Sequence, residues 1–238
     1  MSLAKAFDIF KKESPTLSAG VISADLMNLG SDLSKLEKSG VRAIHFDVMD
    51  GNFVPALTVG PLYIESVKTP LVKDVHLMIS DVEKKAADYV KAGADILTVH
   101  IEECQDALAL LKELGGMKNA NNTAHGVARG IAISPATPVE SIAPLLHEVE
   151  MIVLLAVDPA GAENPAFEVT QARFKKLKKI VEALDRDIIL CVDGGVKKNN
   201  IADYVAMGAD LYVSGSALFA GNLEENAKFM LDELRISK

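Results

Sequence analysis

The chain has 238 residues, eight phenylalanines, four tyrosines and no tryptophan, and its net charge is −8. The acidic balance excludes nucleic acid and anionic membranes as the main partner, because both require a basic surface. Two cysteines exclude a disulfide scaffold, and no apolar run reaches the roughly 18 residues of a membrane-spanning helix. The charged N-terminus lacks the apolar stretch of a signal peptide, so we expect a cytoplasmic globular protein.

The order of the predicted elements indicates an α/β barrel. Residues 1–14 are expected to form a short amphipathic helix that covers the bottom of the barrel. Runs rich in Val and Ile then alternate with helical patterns about every 30 residues, which is typical of βα units in a parallel sheet. Eight such units predict a single (β/α)8 TIM-barrel domain over residues 1–238. The predicted strands are 16–22, 42–48, 71–77, 95–100, 129–134, 151–157, 187–193 and 210–214.

Three glycines support this repeat. Gly40, Gly93 and Gly208 each stand between the end of a predicted helix and the start of a strand. Glycine suits the left-handed position just past a helix C-terminus. The spacings of 53 and 115 residues are close to two and four units, which favours a closed barrel over an open sheet.

Polar side chains stand at the ends of three predicted strands, where this fold places its reacting groups. His45 and Asp47 are two residues apart, so they point to the same face, while His76 and Asp193 end two other strands. Alone, each aspartate is typically a turn former or helix cap, and each histidine a core residue. Together they offer the ligands of a divalent cation, which would satisfy four polar groups in the barrel mouth.

Three further polar residues lie near these strand ends. Asp74 shares a face with His76 and is expected to orient it from behind the metal. Asp50 is expected to form the turn before Gly51. His100 also ends a strand, but the sequence assigns it no partner.

The last two units carry an anion-binding pattern. Gly194 and Gly195 follow the seventh strand, and Gly215 and Ser216 follow the eighth and open a helix. Glycines let backbone N–H groups approach an anion, and a helix N-terminus favours negative charge. The loops after strands seven and eight are the usual phosphate site of this fold, so these four residues are predicted to bind phosphate.

With these motifs in place, the chain resembles the ribulose-phosphate 3-epimerase family, one of the ribulose-phosphate-binding barrels. The resemblance covers about residues 15–230, and its most specific stretch is HFDVMDGNFVP at residues 45–55. Four further motifs match in the same order, namely DVHLM at 74–78, SPATP at 134–138, VDGGV at 192–196 and SGSA at 214–217.

The resemblance implies a metal-dependent isomerase of the pentose phosphate pathway that converts D-ribulose 5-phosphate to D-xylulose 5-phosphate. It implies a homo-oligomer whose divalent metal is held by the four residues His45, Asp47, His76 and Asp193. Two histidines and two aspartates suit Zn, Fe(II), Mn or Co. Asp47 and Asp193 would also be the two acid/base groups, because a proton leaves C3 on one face and returns on the other. Met49 and Met78 would form an apolar lid over the site.

The chain departs from the family pattern on the substrate side. Gly20 stands where the first strand of the family carries a substrate-binding serine, and Ser18 or Ser23 is the available replacement. Leu155 replaces a third lid methionine. The loop at 159–167 keeps one glycine of a glycine-rich phosphate loop and gains Glu163, whose charge would repel phosphate.

These departures leave three functions open. The first is the 3-epimerase of a pentulose 5-phosphate. The second is a 3-epimerase of another ketose phosphate, such as allulose 6-phosphate, which the altered loop favours. The third is a paralogue that binds a sugar phosphate or a protein without turnover, and the complete set of metal ligands speaks against it. A decarboxylase of the same barrel group is disfavoured, because no lysine lies between or beside His45 and Asp47.

Overall fold

Eight parallel strands form a closed barrel in which each strand pairs with its neighbours in the sequence and the last pairs with the first. The structure is a computed structural model, and it describes residues 5–120, 125–161 and 164–236. The predicted (β/α)8 barrel is confirmed, with every strand within two residues of its predicted bounds. The strands are β1 (Thr16–Gly20), β2 (Ala43–Met49), β3 (Val72–Met78), β4 (Ile96–His100), β5 (Ala128–Ile133), β6 (Met151–Leu155), β7 (Ile189–Asp193) and β8 (Leu211–Ser214).

Helices surround the barrel in the described ranges. They are α1 (Lys5–Glu13), α2 (Leu29–Lys38), α3 (Pro61–Ser66), α4 (Val82–Lys91), α5 (Ala107–Gly115), α6 (Phe167–Glu182), α7 (Ile201–Val205), α8 (Ser216–Phe219) and α9 (Leu223–Ile236). A 3-10 helix at Val139–Leu145 takes the place of an α-helix after β5, where Pro144 removes a backbone donor. Within these ranges, no helix is both long and apolar enough to span a membrane.

The three repeat glycines adopt the predicted conformation. Gly40, Gly93 and Gly208 have φ values of 93°, 97° and 77°. This left-handed region is open to glycine and strained for most other residues. Each glycine thus ends a helix and turns the chain back into the next strand.

The bottom of the barrel is closed by α1, as predicted. Phe7 and Phe10 of this helix belong to one buried cluster with inward residues of the strands, including Ala43, Ile96 and Leu211. Phe10 is fully buried. Residues 1–4 of the predicted helix lie outside the described ranges.

The barrel interior changes from apolar to polar towards its mouth. Burying a polar group stabilises the fold only when that group has a partner. The polar interior residues are therefore expected to contact one another or a ligand. Six of them are fully buried, namely Ser18, His45, Asp74, His76, Thr98 and His100.

Candidate active site

The four side chains predicted as metal ligands meet at the barrel mouth, with ligand atoms within 4.8 Å of one another. His45 Nε2 lies 3.2 Å from Asp47 Oδ1 and 3.4 Å from Asp193 Oδ2. His76 Nδ1 lies 3.2 Å from Asp193 Oδ2 and 3.8 Å from Asp47 Oδ1. Such separations are typical of donors that share one cation at bond lengths of about 2 Å.

Burial and charge differ between the histidines and the aspartates of this group. The imidazoles of His45 and His76 are at most 1% exposed, whereas the carboxyl groups of Asp47 and Asp193 are 18% and 14% exposed. Burial alone would lower the pKa of His45, but three nearby carboxylates, Asp74 foremost, raise it well above its ordinary value. Burial would raise the pKa of Asp193, yet the two imidazoles beside it lower that pKa. The carboxylates around His45 therefore favour a positive charge next to them.

Asp74 orients His45 and not His76, so the prediction made for Asp74 was wrong. Its Oδ2 lies 2.8 Å from His45 Nδ1 and also accepts a hydrogen bond from the Ser18 hydroxyl. The register of β2 and β3 pairs His45 with Asp74 and Asp47 with His76. Partners on neighbouring strands are about 4.8 Å apart, whereas residues two apart on one strand are about 6.6 Å apart. The carboxyl group therefore reaches the histidine across the sheet.

His76 is supported by His100, a residue to which the sequence assigned no partner. The two Nε2 atoms lie 2.9 Å apart, and His100 Nδ1 lies 2.9 Å from Glu102 Oε2. Burial would raise the pKa of Glu102, but hydrogen bonds from His100 and Thr137 lower it to about 2. A histidine at the end of β4, followed two residues later by a glutamate, was the available sequence signal.

The residues at the mouth fit a divalent cation. His76 Nδ1 is buried and has no hydrogen-bond partner among the described residues, although it faces the two aspartates. A buried ring nitrogen is costly unless a ligand or partner satisfies it. Two imidazole nitrogens and two carboxylate oxygens form a donor set that suits Zn, Fe(II), Mn or Co.

A cavity of about 110 Å³ adjoins the two aspartates. Ser23 lines it, whereas Ser18 lies deeper and donates to Asp74, so Ser23 is the serine available to a ligand. Gly194 must be glycine, because its φ is 97° and a Cβ atom would lie 2.5 Å from Val157 Cγ2. The cavity is lined by all four predicted phosphate residues, Gly194, Gly195, Gly215 and Ser216, and by Lys197, which the sequence analysis missed.

The two predicted lid methionines lie side by side. Met49 and Met78 are register partners at the ends of β2 and β3, and Met78 is buried. Leu155, which replaces the third methionine, pairs with Asp193 and is also buried. Apolar side chains therefore approach the site from two opposite sides of the barrel, β2 and β3 on one and β6 on the other.

Two backbone N–H groups of the loop after β6 form hydrogen bonds within that loop. The N–H of Asp158 donates to Asn164 Oδ1, and the N–H of Ala160 donates to Asp158 Oδ1. These two donors are already satisfied, and no described residue of 158–166 lines the cavity. Glu163 lies outside the described residues.

Asp50 forms the predicted turn and also links β2 to β3. Its carboxylate accepts hydrogen bonds from the N–H groups of Asn52 and Ser80 and from Lys85 Nζ. Burial would raise the pKa of Asp50, but these donors lower it to about 2. The turn after β2 is thus held by a charged carboxylate.

Replacing Asp50 by Asn is expected to lower the free energy of unfolding by about 1–3 kcal/mol at pH 7. The charged carboxylate stabilises the fold above its ordinary pKa of 3.8, and this contribution is lost as the pH falls through about 2. Urea unfolding between pH 7 and pH 2 should show the two proteins converging at low pH. Asp88→Asn, at an exposed pair with Lys91, should cost less than about 0.5 kcal/mol. A difference for Asp50→Asn that is unchanged at low pH would contradict this account.

Comparison with known proteins matches residues 16–219 to the model of the ribulose-phosphate 3-epimerase family. The chain belongs to this family. It is accordingly an enzyme of the isomerase class, as the motifs predicted. A ribulose-phosphate 3-epimerase of Bacillus subtilis is 35% identical over 93% of this chain and 99% of its own length. One from Escherichia coli K12 is 34% identical over 92% of this chain and 94% of its own length.

Solved structures of low sequence identity share the fold. KGPDC from Streptococcus mutans matches with a TM-score of 0.67 at 13% identity, over 94% of this chain and 98% of its own. At this identity the likeness concerns the barrel alone. The assignment to the family therefore depends on the sequence matches and agrees with the four converging donors.

Proposed function

We propose that the protein catalyses epimerisation at C3 of a pentulose 5-phosphate, with D-ribulose 5-phosphate and D-xylulose 5-phosphate as the two epimers. The observation that carries this proposal is the pair of carboxyl groups, Asp47 and Asp193, that face one small volume at the barrel mouth. They stand on β2 and β7, which are separated around the barrel by β1 and β8. The two groups therefore approach a substrate from different sides.

Epimerisation next to a ketone requires a base on one face of C3 and an acid on the other. In this proposal one aspartate removes the C3 proton to give an enediolate, and the other returns a proton to the opposite face. The roles exchange in the reverse reaction. The two carboxyl groups contact the same two imidazoles, so a change at one group is expected to affect the other.

His45, Asp47, His76 and Asp193 would hold a divalent cation, Zn, Fe(II), Mn or Co. When bound, the cation supplies a Lewis acid that polarises the C2 carbonyl group and lowers the cost of removing the C3 proton. His45 is oriented for this role by Asp74, and both imidazoles are shielded from water. Met49 and Met78 on one side and Leu155 on the other would provide apolar surfaces that limit water at the reacting carbon.

The phosphate group would lie in the cavity lined by Gly194, Gly195, Gly215 and Ser216. Two N–H groups of the loop after β6 are bonded within that loop, so we expect the residues of this cavity to make most of the contacts with the phosphate group. Ser23 contributes a hydroxyl and Lys197 a positive charge. In a protein of net charge −8, one lysine at the mouth matters for an anionic substrate.

Lys197→Met is expected to raise KM for the ketose phosphate about tenfold and leave kcat nearly unchanged. The physical reason is the loss of one charged contact to a phosphate that is bound equally in the ground and transition states. Lys198→Met is the matched control, because Lys198 Nζ instead donates to Asn226 and lies over Phe229. Steady-state kinetics at fixed ionic strength separates the two variants. Equal KM values for both would remove Lys197 from the phosphate site.

The proposed function is tested with the purified, metal-loaded protein in D2O. D-ribulose 5-phosphate should be converted to D-xylulose 5-phosphate, with solvent deuterium entering only at C3. Ribulose 5-phosphate left unchanged at millimolar concentration would overturn the proposal.

A six-carbon substrate is the second candidate, and the altered loop after β6 favours it. Because the described part of that loop does not line the cavity, it leaves the phosphate side of the site different from the family pattern. The ratio of specificity constants for allulose 6-phosphate and ribulose 5-phosphate decides between the two candidates. A ratio above one would favour the six-carbon sugar.

We further propose that residues 1–238 form one domain, that the protein is cytoplasmic and that it assembles as a homo-oligomer. The continuous barrel order of the described strands supports the first point. The cytoplasmic location follows from the charge and cysteine content and from the metabolic role proposed here. The homo-oligomer is carried over from the resemblance alone.

A further inference from the structure

We propose that His100 and Glu102 are positioning residues that hold His76 in the tautomer able to bind a divalent cation. The inference rests on the proposed metal site, and it concerns residues that lie behind that site. Three groups stand in a row, with His76 Nε2 2.9 Å from His100 Nε2 and His100 Nδ1 2.9 Å from Glu102 Oε2. Neither imidazole is exposed to solvent.

The direction of each hydrogen bond follows from the acceptor at the end of the row. The Glu102 carboxylate only accepts, so His100 Nδ1 must carry the proton that it donates. Neutral His100 then has a lone pair on Nε2, and His76 Nε2–H must donate to it. His76 Nδ1 is consequently left without a proton, and this is the atom that faces Asp47 and Asp193. The row therefore leaves a lone pair on His76 Nδ1, the nitrogen that would bind the metal.

Glu102, which follows β4, is itself held in place by the loop that follows β5. Its Oε1 accepts hydrogen bonds from the Ser134 N–H and the Thr137 hydroxyl. Arg173 of α6 donates to the carbonyl oxygens of both Ser134 and Thr137. The position of His76 is thus coupled, through two side chains, to a loop and a helix on the outside of the barrel.

The two histidine ligands are supported in the same chemical manner by different elements. His45 Nδ1 meets the carboxylate of Asp74 directly, and its Nε2 faces the site. His76 reaches a carboxylate only through a second imidazole. Partners of this kind fix the ring orientation and the tautomer of a metal ligand, and their loss typically costs 10–100-fold in metal affinity.

A purely structural role for His100 is the competing explanation. Its ring is nearly parallel to that of His76, with centroids 5.0 Å apart and an interplanar angle of 11°, and the Phe53 ring centroid lies 4.8 Å away. His100→Phe keeps an aromatic ring beside His76 and Phe53 but removes the acceptor. His100→Gln loses the ring but offers an amide oxygen to His76 Nε2–H. The two variants therefore separate packing from hydrogen bonding.

The test measures the affinity of the metal-free protein for Zn²⁺ and Co²⁺ by competition with a chelator of known affinity. His100→Phe should bind each metal about 10–100-fold more weakly than the wild type. His100→Gln should recover most of the loss. Glu102→Gln, which keeps the shape of the side chain, should fall between the wild type and His100→Phe. The visible spectrum of the Co²⁺ form should shift in His100→Phe, since the ligand field reports the bound nitrogen.

The outcomes distinguish this inference from the proposed function. A wild-type protein that binds neither metal would overturn the metal site and leave nothing for the row to support. A wild type that binds metal, with His100→Phe binding equally well, would overturn the positioning role alone. Equal losses in His100→Phe and His100→Gln, with Glu102→Gln unchanged, would also overturn it. Thermal unfolding of the metal-free variants identifies any variant that fails to fold. If a His100 variant fails to fold, the metal affinity of Glu102→Gln compared with that of the wild type tests the proposal.

Discussion

Asp193→Asn is expected to lower kcat for epimerisation by about 10³-fold at saturating metal, because an amide neither removes nor returns a proton at C3. Asp47→Asn is expected to have a loss of the same order. Both side chains contact the same imidazoles, so the two losses should be far from additive in the double variant. Coupled assays that follow xylulose 5-phosphate measure all three variants.

Isotope exchange makes this prediction more specific. If each carboxyl group serves one face of C3, a single variant should still exchange the C3 hydrogen of one epimer with D2O but should not convert it. Asp47→Asn and Asp193→Asn should retain exchange with opposite epimers. Asp203→Asn, an exposed residue of α7, is the control and should behave as the wild type. More than a tenth of wild-type activity in Asp193→Asn would contradict the two-base assignment.

Removal of the metal by a chelator is expected to abolish at least about 99% of the activity, since the proposed polarising cation would contribute several kcal/mol to the chemical step. Activity should return with Zn²⁺, Mn²⁺, Fe²⁺ or Co²⁺, and the order of recovery identifies the preferred ion. The unfolding temperature should rise with the metal, because an ion at 100 times its Kd stabilises the folded state by about 2.7 kcal/mol.

His76→Leu is the companion variant for this experiment. It should show neither recovery of activity nor a metal-dependent rise in the unfolding temperature. His147→Asn changes an exposed histidine that precedes the start of β6, whereas the site lies at the carboxyl ends of the strands. This variant should retain both responses. Full activity of the chelator-treated wild type, verified as metal-free, would exclude the role proposed for the cation.

The barrel was predictable because its pattern is repeated. Buried strands read as continuous runs of Val, Ile and Leu, and glycines in the left-handed conformation mark the ends of helices before β2, β4 and β8. The convergence of the four donors was predictable because each stands near the carboxyl end of its strand, and these ends meet at the mouth of a parallel barrel. Both features can be read from residue type and spacing along the chain.

The pairing behind the ligands was not predictable in the same way. Asp74 was assigned to His76, its neighbour along β3, but the register of β2 and β3 places it beside His45. The contact between His76 and His100 depends on the register of β3 and β4 and on side-chain rotamers. Registers that differ by two residues leave the same side chains facing the interior but change which of them are partners. The pattern within one strand does not distinguish between such registers.

The loop after β6 shows a further limit. Its composition indicated fewer glycine donors, and the structure adds that two of its N–H groups are already engaged by Asp158 and Asn164. Lys197 was overlooked because a lysine after a Gly-Gly-Val turn is ordinary on a protein surface. Its relevance comes only from the cavity that the β1, β7 and β8 loops enclose.

The closure of the barrel floor by α1 determines how protons exchange with solvent. Phe7 and Phe10 fill the end opposite the site, and Asp47 and Asp193 are 18% and 14% exposed at the mouth. In the proposed function, a ketose phosphate seated in that mouth would separate the two carboxyl groups from bulk water. A proton taken from C3 by one aspartate would then exchange with solvent more slowly than it does in the empty site, while the other aspartate supplies the proton of the opposite face. The rate at which unconverted substrate exchanges its C3 hydrogen with D2O, relative to the rate of conversion, consequently reports how often the captured proton reaches solvent before it is returned.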